Sequence, residues 1–262
     1  MTPAPKKWFG QNFLTDEETA RTVTRVSSMG KGDHVVEVGP GQGFMTRFLL
    51  ESGAFVTAVE KDPELPALLE ERFAGHPLRV LHGDFMEVDL HSLSPSPFIL
   101  VGNLPYYVSV AILGKALAAP RGLISQMVFM FQKEVALRLV ARPGSDEFGM
   151  PSVMAQLTHG VSMVRKVPAG SFFPKPKVDS ALVHLRPLND PLVEESERSA
   201  MLDWAGSAFR YRRKTLRNAL VQSGVDSMAI DEATAAVGIR PVERLEDVPL
   251  PTLVSLWRLL GR

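Results

Sequence analysis

The chain contains no cysteine among its 262 residues. That excludes disulfides, thiolate metal sites and cysteine nucleophiles, and it fits a reducing compartment. Net charge is absent too, because 29 Lys+Arg balance 29 Asp+Glu. A globally basic nucleic-acid binder is thereby excluded, and any nucleic-acid footprint has to be a local patch. No apolar run approaches the roughly 20 residues of a bilayer span, so no membrane association is expected. No signal-peptide pattern opens the chain, since Lys6 and Lys7 lead into Trp8-Phe9-Gly10 rather than into a long apolar core. His34, His76, His82, His91, His159 and His184 show no metal-ligand spacing, and no metal is expected. Internal repeats and low-complexity tracts are also lacking. The expectation is a cytoplasmic protein with an ordinary apolar content of 45%, long enough for one large domain and a small satellite.

What is present is an alternation of apolar runs and helix-like stretches from about residue 33. Strands are predicted at 35–38, 54–59, 78–81, 98–101 and 124–131, with helices over about 43–53, 63–73 and 132–141 between or after them. Such alternation implies a parallel sheet covered on both faces. Residues 161–164 and 181–185 read as two further strands with no helix between them, so antiparallel pairing is predicted at that edge. Pro187 to Pro191 marks a boundary. Beyond it the pattern is helical, over roughly 194–209, 211–223, 228–237 and 250–260, with Gly224 and Gly238 as stops. The predicted fold class is α/β: a Rossmann-like, mostly parallel seven-stranded sheet with an antiparallel edge strand, over residues 1–187. A small all-α domain over 188–262 follows.

Two motifs carry chemistry. The first is Glu37-Val38-Gly39-Pro40-Gly41-Gln42-Gly43, a strand, a glycine loop and a helix start. Bare backbone at Gly39 and Gly41 lets a ligand approach closely. The spacing is G-x-G-x-G rather than the G-x-G-x-x-G of dinucleotide sites, which disfavours a pyrophosphate. Glu60 ends the next strand and is placed to accept both ribose hydroxyls. Asp84 ends the third strand and is placed to accept from an adenine amino group. Three ligand-facing positions on successive strand ends make a nucleoside-sized crevice, and S-adenosylmethionine fits it. The second motif is Asn103-Leu104-Pro105-Tyr106, at the end of the buried run 98–102. The Asn103 side-chain carbonyl and the Leu104 main-chain carbonyl suit the two hydrogens of an exocyclic amine, and Tyr106 suits the ring face. Two acceptors on an adenine N6 favour a pyramidal nitrogen whose lone pair meets the methyl donor in line. A duplex would hide that base, so the substrate is single-stranded or flipped out. Phe172, in the proline-rich loop, is placed to cover the opposite ring face.

On these residues the chain resembles the bacterial RsmA/KsgA family of small-subunit rRNA adenine dimethyltransferases. The likeness spans about residues 8–260. It includes Phe9-Gly10-Gln11-Asn12-Phe13-Leu14, Gly83-Asp84, Gln132-Lys133-Glu134-Val135, Phe172-Phe173-Pro174-Lys175-Pro176-Lys177-Val178-Asp179-Ser180 and Phe209-Arg210-Tyr211-Arg212-Arg213-Lys214-Thr215-Leu216. The resemblance implies cofactor contacts from Asn12, Leu14, Gly39, Glu60, Asp84 and Asn103. It implies transfer of two methyls to each of two adjacent adenines in a hairpin loop near the 3′ end of the small-subunit rRNA, with a role in subunit biogenesis. The start of the chain so close to the first motif leaves no room for an organellar transit peptide, and a monomer is expected.

A basic cluster, Arg210, Arg212, Arg213, Lys214 and Arg217, contains no acid and is predicted to lie largely on a helix. Lys175 and Lys177 sit in the loop beside the base pocket, near Arg165 and Lys166 in sequence, and Lys6 and Lys7 add charge at the start. Together these are expected to follow RNA phosphates across a cleft between the domains. Two other functions compete: a related methyltransferase acting on large-subunit rRNA, and an assembly factor that only occupies an immature subunit.

Overall fold

A computed structural model describes residues 10–240 and 242–261. The expectations for Lys6, Lys7 and Phe9 lie outside the described residues. In chain order the described elements are β1 (Phe13–Leu14), α1 (Glu17–Ser27), β2 (His34–Val38), α2 (Phe44–Glu51), β3 (Phe55–Glu60), α3 (Pro66–Arg72) and β4 (Leu78–His82). Next come β5 (Phe98–Asn103), α4 (Ser109–Leu117), β6 (Ile124–Gln132), α5 (Lys133–Val140), α6 (Met150–Gln156) and β7 (His159–Val167). The chain continues through β8 (Phe172–Phe173), β9 (Ser180–Pro187), α7 (Arg198–Phe209), α8 (Leu216–Gln222), α9 (Ser227–Val237) and α10 (Leu250–Leu260).

Two compact units share these elements. The first runs to Ala136 and adds Val161–Arg186; the second holds Leu137–Gly160 and the chain from Pro187 onward. The first unit is built on a seven-stranded sheet of order β4-β3-β2-β5-β6-β9-β7. Strands β4, β3, β2, β5 and β6 run parallel, and β9 pairs antiparallel with β6. The central strands are continuous apolar runs because helices cover both faces. Val35, Val56, Ile99 and Val101 of the sheet pack with Val23, Leu49 and Leu69 of α1, α2 and α3 in one buried cluster. Each such side chain contributes roughly 1.5–3 kcal/mol of burial. Asp16 starts α1 by accepting from the Glu18 N–H at 3.2 Å and the Thr19 hydroxyl at 2.6 Å.

Sequence periodicity misses two helices and a two-stranded ribbon. Helix α4 is apolar nearly all round, and α6 is only seven residues long. The ribbon β1–β8 has two residues per strand, pairing Phe13 with Phe173 and Leu14 with Phe172; no period can show in two residues. Pro66 rather than Pro63 occupies the first turn of α3. Helix α8 begins at Leu216, five residues later than predicted. The preceding residues form turns, with Lys214 N–H donating to Tyr211 O at 2.8 Å, and the Thr215 side chain caps the helix.

The second unit differs from the expected 188–262 domain by one segment. Phe148, Val153 and Leu157 join Met201, Phe209, Leu220, Ile230, Leu253 and Trp257 in a single buried cluster, so Leu137–Gly160 packs with the carboxy-terminal helices. A helical bundle this small needs that extra apolar surface to exclude water from its core.

Candidate active site

The site forms where strand order reverses. Strand β2 has β3 on one side and β5 on the other, and a crevice opens at the carboxyl ends of strands about such a switch point. Gly39, Gly41, Glu60, Asp84, Asn103 and Tyr106 line one cavity there. Leu14, Glu37, Phe44 and Phe173 line a second, and Gly39 and Asn103 line both. The glycine loop and the Asn103 motif, remote in sequence, therefore share walls.

The loop needs its glycines. Gly39, Gly41 and Gly43 have φ of 67°, 59° and 81°, a region L side chains rarely enter. A Cβ on Gly41 would lie 2.7 Å from the Phe13 ring. The Gly41 N–H donates to Glu60 Oε2 at 3.0 Å, and the Asp62 N–H donates to Oε1 at 2.8 Å. Burial, only partly offset by these two bonds, raises the Glu60 carboxyl above its ordinary pKa. Asp84 is held differently. Its Oδ2 accepts from Lys61 Nζ at 2.7 Å and its Oδ1 from the Met86 N–H at 2.9 Å. The Lys61 bond, then the Met86 bond, hold its pKa below the usual carboxylate value. Both expected nucleoside contacts thus face the same cavity, each steered by main-chain donors.

Asn103 ends β5, and its Nδ2 donates to the Asn12 carbonyl at 2.8 Å. That commits the amide nitrogen to the protein and fixes the side-chain orientation, with Oδ1 as the remaining acceptor. Asn12, which chemistry alone does not single out, is thereby tied to the motif. The Tyr106 hydroxyl shares a 2.7 Å hydrogen bond with Ser180 Oγ on β9, which anchors the ring. Burial raises the Tyr106 pKa. The Leu104 side chain is buried.

Phe172 departs from its expected place. It is 4% exposed and packs with Leu14, Phe48 and Met130. It lines neither cavity, because the β1–β8 pairing turns it inward. Phe173, the next residue and so on the opposite face of the strand, is 64% exposed and lines the second cavity. Leu14 faces that cavity as well.

Glu37 is a further residue of the site that the sequence does not single out. It is fully buried on β2; Oε2 accepts the Thr46 hydroxyl at 2.6 Å, and Oε1 has no partner among the described residues. Burial pushes its pKa up to about 8. Its position in the glycine motif is the signal the sequence offers.

The basic residues fall into two groups. Lys175 and Lys177 are exposed on the loop between β8 and β9. Arg165 is paired with Asp16 at 3.6 Å and Glu18 at 3.8 Å. In the second unit the cluster lies mostly on the turn between α7 and α8, not on a helix; only Arg217 is helical. Arg212 pairs with Glu246 at 3.6 Å, and Arg217 makes a fork on Asp231 at 2.8 and 3.0 Å. Arg210, Arg213 and Lys214 are exposed and have no ion pair among the described residues. No group of His, Cys, Asp or Glu among the described residues could hold a metal.

Sheet order, glycine loop and strand-end acids define a Rossmann-like methyltransferase. Residues 4–259 match the family model described as ribosomal RNA adenine dimethylase, and the chain belongs to that family. A relative in Deinococcus radiodurans, named ribosomal RNA small subunit methyltransferase A, is 42% identical over 98% of this chain and 86% of its own. A protein of the same name in Moorella thermoacetica is 38% identical over 98% and 92%. Among solved structures, the 23S rRNA methyltransferase ErmE superposes with a TM-score of 0.76 at 27% identity, over 96% of this chain and all of the other.

Proposed function

We propose that this protein dimethylates N6 of two adjacent adenines in a hairpin loop near the 3′ end of 16S rRNA, with S-adenosylmethionine as donor, during small-subunit maturation. The observation that carries the reading is Asn103, held by Asn12 and set in the wall common to both cavities. The donor set suits S-adenosylmethionine. Two carboxylates at strand ends match ribose hydroxyls and an adenine amine, and they oppose a pyrophosphate. Asn12, Leu14, Gly39, Gly41, Glu60, Asp84 and Asn103 would hold the cofactor. When bound, it supplies a methyl group activated by a sulfonium.

The chain's own residues then act on the base. Asn103 Oδ1 and the Leu104 carbonyl accept from the amine hydrogens, which frees the nitrogen lone pair from the ring. Tyr106, fixed through Ser180, packs on the ring face. Orientation supplies much of the rate, and the released proton passes to water. Lys175, Lys177, Arg210, Arg213 and Lys214 meet RNA phosphates, with Arg212 and Arg217 as their paired neighbours. The partner is the small ribosomal subunit, the compartment the cytoplasm and the working state a monomer. No described helix is long and apolar enough to cross a membrane.

The ErmE likeness supports a second reading, methylation of large-subunit rRNA. The higher identity to relatives named for the small subunit favours the first. Small subunits lacking the modification, incubated with labelled S-adenosylmethionine, are expected to gain two dimethyladenines detectable by mass spectrometry of the rRNA. In a parallel incubation with unmodified large-subunit rRNA, label confined to that RNA would establish the second reading.

A further inference from the structure

We propose that Lys115 is a positioning residue for the adenine end of the methyl donor. The inference rests on the cofactor reading above. Lys115 lies on α4, just after the Asn103 motif, and reaches the loop 84–88 that follows β4. Its ammonium donates to three main-chain carbonyls: Phe85 at 2.9 Å, Met86 at 2.9 Å and Val88 at 2.6 Å. It also sits 5.5 Å from the centre of the Phe85 ring. An ammonium has three donors, and here all three are spent on one loop.

That loop does two things at the crevice. It carries Asp84, whose Oδ1 is oriented by the Met86 N–H. It also presents Phe85 as part of the cavity wall beside Asn103. Among the described residues, the main-chain bonds within the loop run to Asp84 O, which accepts from the Glu87 and Val88 N–H groups at 2.9 and 3.2 Å. The carbonyls of residues 85, 86 and 88 instead converge on Lys115. Without the ammonium they would face one another with no donor between them, and the loop that carries Asp84 and its Met86 N–H support would loosen. Lys115 itself does not line the cavity. It acts through Asp84, and it ties the adenine-reading loop to the helix that follows the base-binding motif.

The test uses binding of S-adenosylhomocysteine and of S-inosylhomocysteine, which lacks the 6-amino group that Asp84 would accept from. The wild-type protein is expected to prefer the adenosyl compound, and Asp84→Asn to lose that preference. Lys115→Met keeps the aliphatic stem and removes the three donors. It is expected to weaken adenosyl binding about tenfold and inosyl binding less than about twofold. The KM for the donor should rise while turnover at saturating donor falls less than about twofold. Lys115→Arg, which retains charged donors, should recover most of the preference. If Lys115→Met fails to fold, Lys115→Gln carries the same comparison. Intact preference in the variant, or equal weakening of both compounds, overturns the role of Lys115 while leaving the cofactor reading in place. No preference in the wild-type protein, or none lost in Asp84→Asn, overturns the reading of Asp84 itself.

Discussion

Replacing Asn103 by alanine removes two interactions at once, and the structure separates their sizes. The amide nitrogen leaves the Asn12 carbonyl, a 2.8 Å bond. Stranding a partly buried carbonyl costs about 1–3 kcal/mol, so folding stability should fall by that order. It also frees Asn12, and cofactor affinity should drop a few-fold. The larger effect is on transfer. Loss of an acceptor aimed at the amine is worth about 3–4 kcal/mol in the transition state, or a few hundredfold to roughly a thousandfold in rate. Asn103→Asp separates the two effects: a carboxylate still accepts from the base but repels the Asn12 carbonyl it faces. Its rate should fall between wild type and alanine. The assay is single-turnover methyl transfer to undermodified small subunits, with cofactor and subunit binding measured alongside. An alanine variant within tenfold of the wild-type rate would sink the assignment of Asn103. An aspartate variant indistinguishable from wild type would show that the tether to Asn12 does not set the orientation of residue 103.

Changing Arg213 and Lys214 to glutamine should lower the salt dependence of subunit binding by about one to two counterions, whereas Arg217→Gln, whose charge is already spent on Asp231, should change it little. Equal slopes for both variants would return the turn to an ordinary solvated surface. His159 is pulled down to about 4 by burial, with Arg198 repulsion second. The unfolded chain therefore binds the extra proton between pH 6.5 and about 4, and stability should fall as pH drops through that window, by up to about 3 kcal/mol from this group. Urea unfolding of wild type and His159→Gln across the window should diverge by that trend; parallel profiles would contradict the burial of a neutral imidazole.

The sheet, the glycine loop and the strand-end acids are legible in the sequence because each is local: an apolar run, a turn chemistry, an acid where a strand stops. Asn103 and Tyr106 are legible for the same reason. Their supports are not. Asn12 and Ser180 reach them across 91 and 74 residues of chain, a distance that no window of periodicity covers. Phe172 and Phe173 are both aromatic and adjacent, and only the pairing of β1 with β8 decides which one faces the cavity. Lys115 looks like any lysine near the end of a helix until the three carbonyls it serves are in view. The basic cluster is legible as a run of charges, but its partners Glu246 and Asp231 lie further along the chain, so its paired and unpaired members look alike in sequence.

The short ribbon between β1 and β8 sets an order of events for the newborn chain. Residues 12–14 cannot settle beside Asn103 in their final form until the strand at 172–173 exists to receive Phe13 and Leu14. The first motif to be synthesised is therefore among the last to dock. A product truncated before that point would hold most of the sheet and the whole glycine loop, but not the strand that pairs with Phe13 and Leu14.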